Sequence, residues 1–79
     1  MLLHANGNEI KRRRERLGLT RYALSMKAGL GPMALTRMEE ELHMVHPLRA
    51  KAVAYVLGCD VDEIFHGSTE TSYSKASSM

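Results

Sequence analysis

The chain has little of several things, and each scarcity narrows what it does. It carries one cysteine, Cys59, so no disulfide closes within it, and a reducing, cytoplasmic setting is expected. No CxxC pair or spaced His and Cys set stands ready to hold a metal. No run approaches the roughly 18 apolar residues of a membrane span. The opening MLLHANGNEI has neither the basic segment nor the apolar core of a secretory signal, so none is expected. Strict alternation and β-branched clusters are absent too, and no strand is expected. At 79 residues the chain makes one small domain. Such a domain buries only roughly 60% of its unfolded surface. That disfavours a deep catalytic cleft and favours a module that works through its surface.

What is present is ordinary in amount and uneven in placement. Apolar residues make up 44% and charged residues 25%, as in a globular domain. The net charge of +2 conceals a division. Residues 1–37 hold Lys11, Arg12, Arg13, Arg14, Arg16, Arg21, Lys27 and Arg37 against Glu9 and Glu15 alone. Residues 38–79 hold Arg49, Lys51 and Lys75 against seven acids. A basic half of this kind is either a solvated face or a side turned toward a polyanion.

The apolar spacing reads as five short helices. Asn8 is the expected N-cap of the first, with Glu9 where the helix dipole favours an acid. Ile10, Arg14 and Leu17 share its inner face, and Gly18 ends it. Thr20 caps a second helix, with Leu24 and Ala28 inward and Gly29 as its stop. Pro32 opens a third, at the position where a missing N–H costs nothing. Leu35 and Met38 face inward there, and Met26 and Met38 are expected to fill core gaps. Pro47 starts a fourth helix with Val53, Ala54 and Leu57 inward and Gly58 at its end. Asp60 caps a last short helix, VDEIF, with Glu63 completing a capping box. Beyond Phe65 the chain turns Ser- and Thr-rich, with seven such residues over 67–79. A segment with so little to bury is expected to stay disordered.

Thr20 to Glu40 is the segment that carries function. Two helices joined by a tight glycine turn form a helix-turn-helix. The close approach of such helices asks for a small residue midway in the first, and Ser25 stands there. The turn asks for a left-handed backbone position, which Gly29 supplies. Leu30, Leu35 and Met38 lock the second helix onto the first.

IKRRRERLGLT, Leu24, AGLG at 28–31, LTRMEE at 35–40, Pro47 and AVAYVLGCDVDEIF together carry a resemblance. Over roughly residues 8–65 the chain resembles the phage repressor and Cro-type (XRE) DNA-binding domains. The resemblance implies an all-α, five-helix, lambda-repressor-like helix-turn-helix domain over 1–66, followed by the flexible tail over 67–79. It implies a recognition helix over about 32–41, lying in the major groove of double-stranded DNA. Pro32, Met33, Thr36 and Arg37 then fall at base-facing positions. Pro32 has no donor, and Met33 and Ala34 offer only apolar contact, so hydrogen-bonded readout falls on Arg37 and Thr36. Arg21 stands where the family usually has a backbone-anchoring Gln. It is expected to contact phosphate together with Thr20, Tyr22, Arg12, Arg13, Arg16 and Lys27. Arg14 and Glu39 match a buried pair that ties the first helix to the recognition helix.

Other clusters suggest less. His43 and His46, with His4 and His66 elsewhere, read as solvent-facing or phosphate-contacting side chains and not as metal ligands. Cys59 reads as a small core hydrophobe. Glu39, Glu40 and Glu41 point in successive directions around a helix and cannot converge on one ligand. No catalytic set emerges, so no enzyme, no cofactor and no metal are expected. The expected function is a sequence-specific, double-stranded DNA-binding transcriptional regulator of repressor type, dimeric at least on a palindromic operator. The alternative is an antirepressor- or antitoxin-like protein-interaction module, resting on Glu39–Glu41, the apolar GPMAL stretch and the acidic second half.

Overall fold

Left-handed residues punctuate the chain, and the helices fall between them. A computed structural model describes residues 1–67. The elements are β1 (Leu3–Ala5), α1 (Gly7–Arg16), α2 (Arg21–Lys27), α3 (Ala34–Glu39), α4 (Pro47–Leu57), α5 (Val61–Ile64) and β2 (Phe65–Gly67). The expected five helices form, and α1, α2 and α4 stop against Gly18, Gly29 and Gly58, each at a φ of 72° to 74°. The tail lies outside the described residues except for Gly67, which belongs to β2.

The core is a single cluster in which every helix takes part. Ile10, Leu24, Leu35, Val53 and Ile64 are fully buried, with Met38, Ala50, Ala54 and Leu57 around them. At about 25 cal/mol per Å² of apolar surface, such burial is the main stabilising term. Two expected core positions lie outside it. Leu17 and Met26 are about half exposed. Leu17 caps α1 just before the chain reverses, and Leu19, past the turn, packs inward in its place. Met26 lies one residue past fully buried Ser25, which the α2–α3 contact covers.

A small ribbon joins the two ends of the domain, which the sequence reading did not anticipate. β1 and β2 run antiparallel with Leu3 opposite Gly67, His4 opposite His66 and Ala5 opposite Phe65. Val45 closes the other edge of β1, exchanging hydrogen bonds with Leu3 at 2.7 and 2.8 Å. Leu3, Ala5 and Phe65 point into the core, while the His4 and His66 rings stack outside with centroids 5.4 Å apart. Phe65 therefore leaves α5 and belongs to β2. Three-residue strands are too short to show a period of two.

The start of α1 also differs from expectation. The N-cap is Asn6, whose side chain accepts from the Glu9 N–H at 3.2 Å, and not Asn8. The reason is close packing at Gly7. A Cβ there would stand 2.1 Å from the Glu39 carbonyl oxygen, so the first turn of α1 presses against the end of α3.

Candidate nucleic-acid interface

Ser25 builds the relation between α2 and α3. Fully buried, its hydroxyl donates to the Arg21 carbonyl at 2.8 Å and accepts from the Leu35 N–H at 3.0 Å. It thereby satisfies one of the orphan donors at the start of α3 from the neighbouring helix. Thr20 caps α2 in the same manner, accepting from Ala23 at 3.0 Å. Gly29 supplies the left-handed turn between them, and Ala34, Leu35 and Met38 seat α3 on the core.

The third helix is shorter than the expected 32–41. Pro32 and Met33 form a turn, with Met33 as the N-cap at φ −99°, ψ 6°, and the helix runs only from Ala34 to Glu39. Ala34 is buried, so it offers nothing to a groove. At the far end Glu41 adopts a φ of 55°. The Leu42 N–H reaches the Arg37 carbonyl and the Glu41 N–H that of Met38, which is a Schellman turn. The ends of α1, α2 and α4 use glycine in that left-handed position; here a glutamate holds it.

The outer side of this unit presents most of the expected residues. Pro32, Arg37 and Lys27 are exposed, Met33 is 51% and Tyr22 61% exposed, and Thr36 is half-buried. Lys27 lies at the opposite end of α2 from Arg21, about 9 Å along the axis. Arg16 is exposed at the end of α1.

Internal ion pairs occupy several of the expected cations. Arg14 and Glu39 meet as a fork, Nε to Oε2 at 2.5 Å and Nη2 to Oε1 at 3.1 Å, with the Glu39 side chain 1% exposed. Arg14 Nη1 also donates to the Leu19 carbonyl at 2.7 Å. Its bond to Glu39 holds the Arg14 pKa above its ordinary value, against the opposing cost of burial. Arg21 joins this cluster, donating from Nε to Glu39 at 3.1 Å and from Nη1 to Glu40 at 3.2 Å.

Arg12 and Arg13 do not gather with the α2–α3 residues. Both bind Glu9, and Arg13 extends to Glu63 of α5 at 3.0 Å. The two guanidinium groups hold the Glu9 carboxyl below its ordinary 4.5. Arg13 is thus held toward α5 and not toward α3.

The three consecutive acids go to three different tasks. Glu39 neutralises Arg14, Glu40 faces Arg21, and Glu41 accepts the Gly7 N–H at 2.8 Å. They do not form a shared acidic surface. Nor does GPMAL form an apolar one, since Ala34 and Leu35 are buried. Cys59 is half-buried against the core, and burial pushes its thiol pKa up. Among the described residues no group of three metal-ligating side chains converges, and no helix is long and apolar enough to cross a membrane.

The loop before α4 and the start of that helix border this face, and Arg49 is the residue there that the sequence does not single out. His43, His46 and Arg49 line one groove together with Arg37. Pro47 marks a helix start, and nothing local in the sequence places this basic stretch beside α3.

The comparisons with known proteins agree with this geometry. A helix-turn-helix family model matches residues 10–64. Among solved structures, the master regulator for biofilm formation SinR, crystallised in complex with DNA, is similar. It is 28% identical with a TM-score of 0.66, over 71% of this chain and 90% of that one. Among curated proteins none matches. The family model spans most of the chain, from the end of the first turn of α1 to the last residue of α5, and the chain belongs to the XRE-type helix-turn-helix family.

Proposed function

We propose that the chain is a sequence-specific regulator of repressor type that binds double-stranded DNA with α3 and the turn before it in the major groove. The supporting observation is the Ser25 lock, which holds Arg37, Thr36 and Met33 outward on a helix fixed to the core. The similar SinR structure is itself a DNA complex. In this reading Arg37 donates to a base edge, guanine above all, while Met33 and Pro32 give apolar contact to thymine methyl groups. Thr20, Arg21, Tyr22, Arg16 and Lys27 contact phosphates and supply affinity without sequence information.

A two-fold dimer on a palindromic operator belongs to the same proposal. Leu48 is 72% and Tyr55 86% exposed, two turns apart on α4, and they suit a face that a second copy covers. The protein-interaction alternative rests on the acidic triplet, the apolar GPMAL stretch and the acidic second half. Within these, Glu39, Glu40 and Glu41 are each bonded inside the domain and Ala34 and Leu35 are buried, whereas Pro32 and Met33 are exposed. Selection of duplexes from a fragmented bacterial genome by the purified protein tests the proposal. An enriched, inverted-repeat motif is expected; recovery of no motif over the input would refute sequence-specific binding.

A further inference from the structure

We propose that the groove between α3 and the start of α4 binds an aliphatic carboxylate, whose head group engages Arg37 and Arg49 and thereby competes with DNA. The groove holds about 280 Å³, near the lower end of small-ligand sites. Buried Met38 and Val45 form its floor and Leu2 one wall, while Arg37, Arg49 and His43 stand around it. No carboxylate lines it among the described residues. That sets it apart from the rest of the domain. Arg12, Arg13, Arg14 and Arg21 each face a glutamate, whereas Arg16, Arg37 and Arg49 have no ion-pair partner among the described residues, and of these three Arg37 and Arg49 line the groove.

Two unpaired guanidinium groups beside an apolar floor call for a ligand with both characters. Guanidinium matches a carboxylate through parallel, charge-assisted hydrogen bonds. A hydrocarbon tail laid over Met38 and Val45 removes that surface from water, and methionine adapts to irregular tails. A DNA phosphate satisfies the rim and leaves the floor unused, so the observations favour the small amphipathic anion. Its binding does not depend on the function proposed above; the competition with DNA rests on that reading.

Octanoate, at concentrations far below micelle formation, is the probe. Binding to the full chain without DNA is followed by the methyl signals of Met38 and Met44, and DNA release separately by fluorescence anisotropy. Saturable shifts are expected from hexanoate to octanoate, with affinity rising up to about fourfold per added methylene. Arg49→Gln, which removes a charge-assisted bond, and Leu2→Ser, which removes apolar wall, both at exposed positions, should each weaken octanoate at least about fivefold. Octanol binding as tightly as octanoate, shifts that do not saturate, or shifts indifferent to both substitutions would overturn the site. Saturable binding with no release of DNA would retain the site and overturn the competition. Release by acetate or phosphate equal to that by octanoate at matched ionic strength would also overturn it, as salt screening.

Discussion

The side chain of Glu41 accepts a hydrogen bond from the backbone N–H of Gly7 at 2.8 Å, across 34 residues of sequence. One residue thus ends α3 in a left-handed conformation and caps the start of α1. A non-glycine residue there costs about 1–2 kcal/mol. A charged hydrogen bond to an orphan helix N–H offsets it, contributing about 1.5–3 kcal/mol. Glu41→Ala should therefore destabilise the domain by about 2 kcal/mol. Glu41→Gly, which relieves the backbone while losing the bond, should cost about 1 kcal/mol less. Urea unfolding of the two variants decides the order; glycine no better than alanine would show that the left-handed turn carries no strain.

The Arg14–Glu39 fork should be structural. Removing one partner of a buried pair costs about 3–5 kcal/mol, because the other charge stays behind. A domain of this size has a stability of about 5 kcal/mol or little more. Glu39→Ala should mostly unfold it at 25 °C. Arg14→Met with Glu39→Leu should recover much of the loss, since Arg21 is exposed enough to turn to Glu40 or water. A double-variant cycle in urea measures this, and strictly additive effects would show that the pair is not coupled.

Ser25→Ala tests the lock between α2 and α3. The substitution leaves the buried Leu35 N–H without its acceptor, at a cost of about 1–3 kcal/mol. Hydrogen exchange of the Leu35 amide should quicken more than that of core amides in α4. Equal acceleration throughout would mean that the hydroxyl stabilises the whole domain without specifically anchoring α3.

Much of this was legible because it depends on local chemistry. Gly18, Gly29 and Gly58 mark left-handed helix ends whatever packs around them, and Pro47 marks a start. Ser25 was legible because a close helix crossing needs a small residue at that point. The unread features depend on contacts distant in sequence. Gly7 resembles a helix breaker until the Glu39 carbonyl is beside it. Glu41 resembles a surface acid until Gly7 offers its N–H. The ribbon depends on residues 3–5 meeting residues 65–67, and neither segment is long enough to show a pattern alone. At the site, Arg37 was legible as an outward donor on α3, whereas the pairing of Arg13 with Glu63 was not, because the two lie 50 residues apart.

Three arginines should separate by role in DNA binding. Arg37→Ala should cost about 1–3 kcal/mol on the preferred duplex and less on random DNA, relaxing one base position. Arg21→Ala should weaken all duplexes alike and reduce the salt slope by about one phosphate contact. Arg13→Ala should leave both affinities nearly unchanged, because Arg13 is held on Glu9 and on Glu63 of α5 and not beside α3 as Arg21 is. Binding isotherms on a selected and a scrambled duplex distinguish the three. Equal losses for Arg37→Ala on both would reassign it to the phosphate backbone.

The most direct test of the DNA-binding account is the salt dependence of affinity for duplex DNA of random sequence, measured by fluorescence anisotropy. Arg16, Arg21 and Lys27 as phosphate contacts predict that log K falls linearly with log salt concentration, with a slope of about −3 per protomer. The selected duplex should bind more tightly with a similar slope. No binding to any duplex at about 50 mM salt, where such contacts are strongest, or an affinity indifferent to salt, would contradict the account.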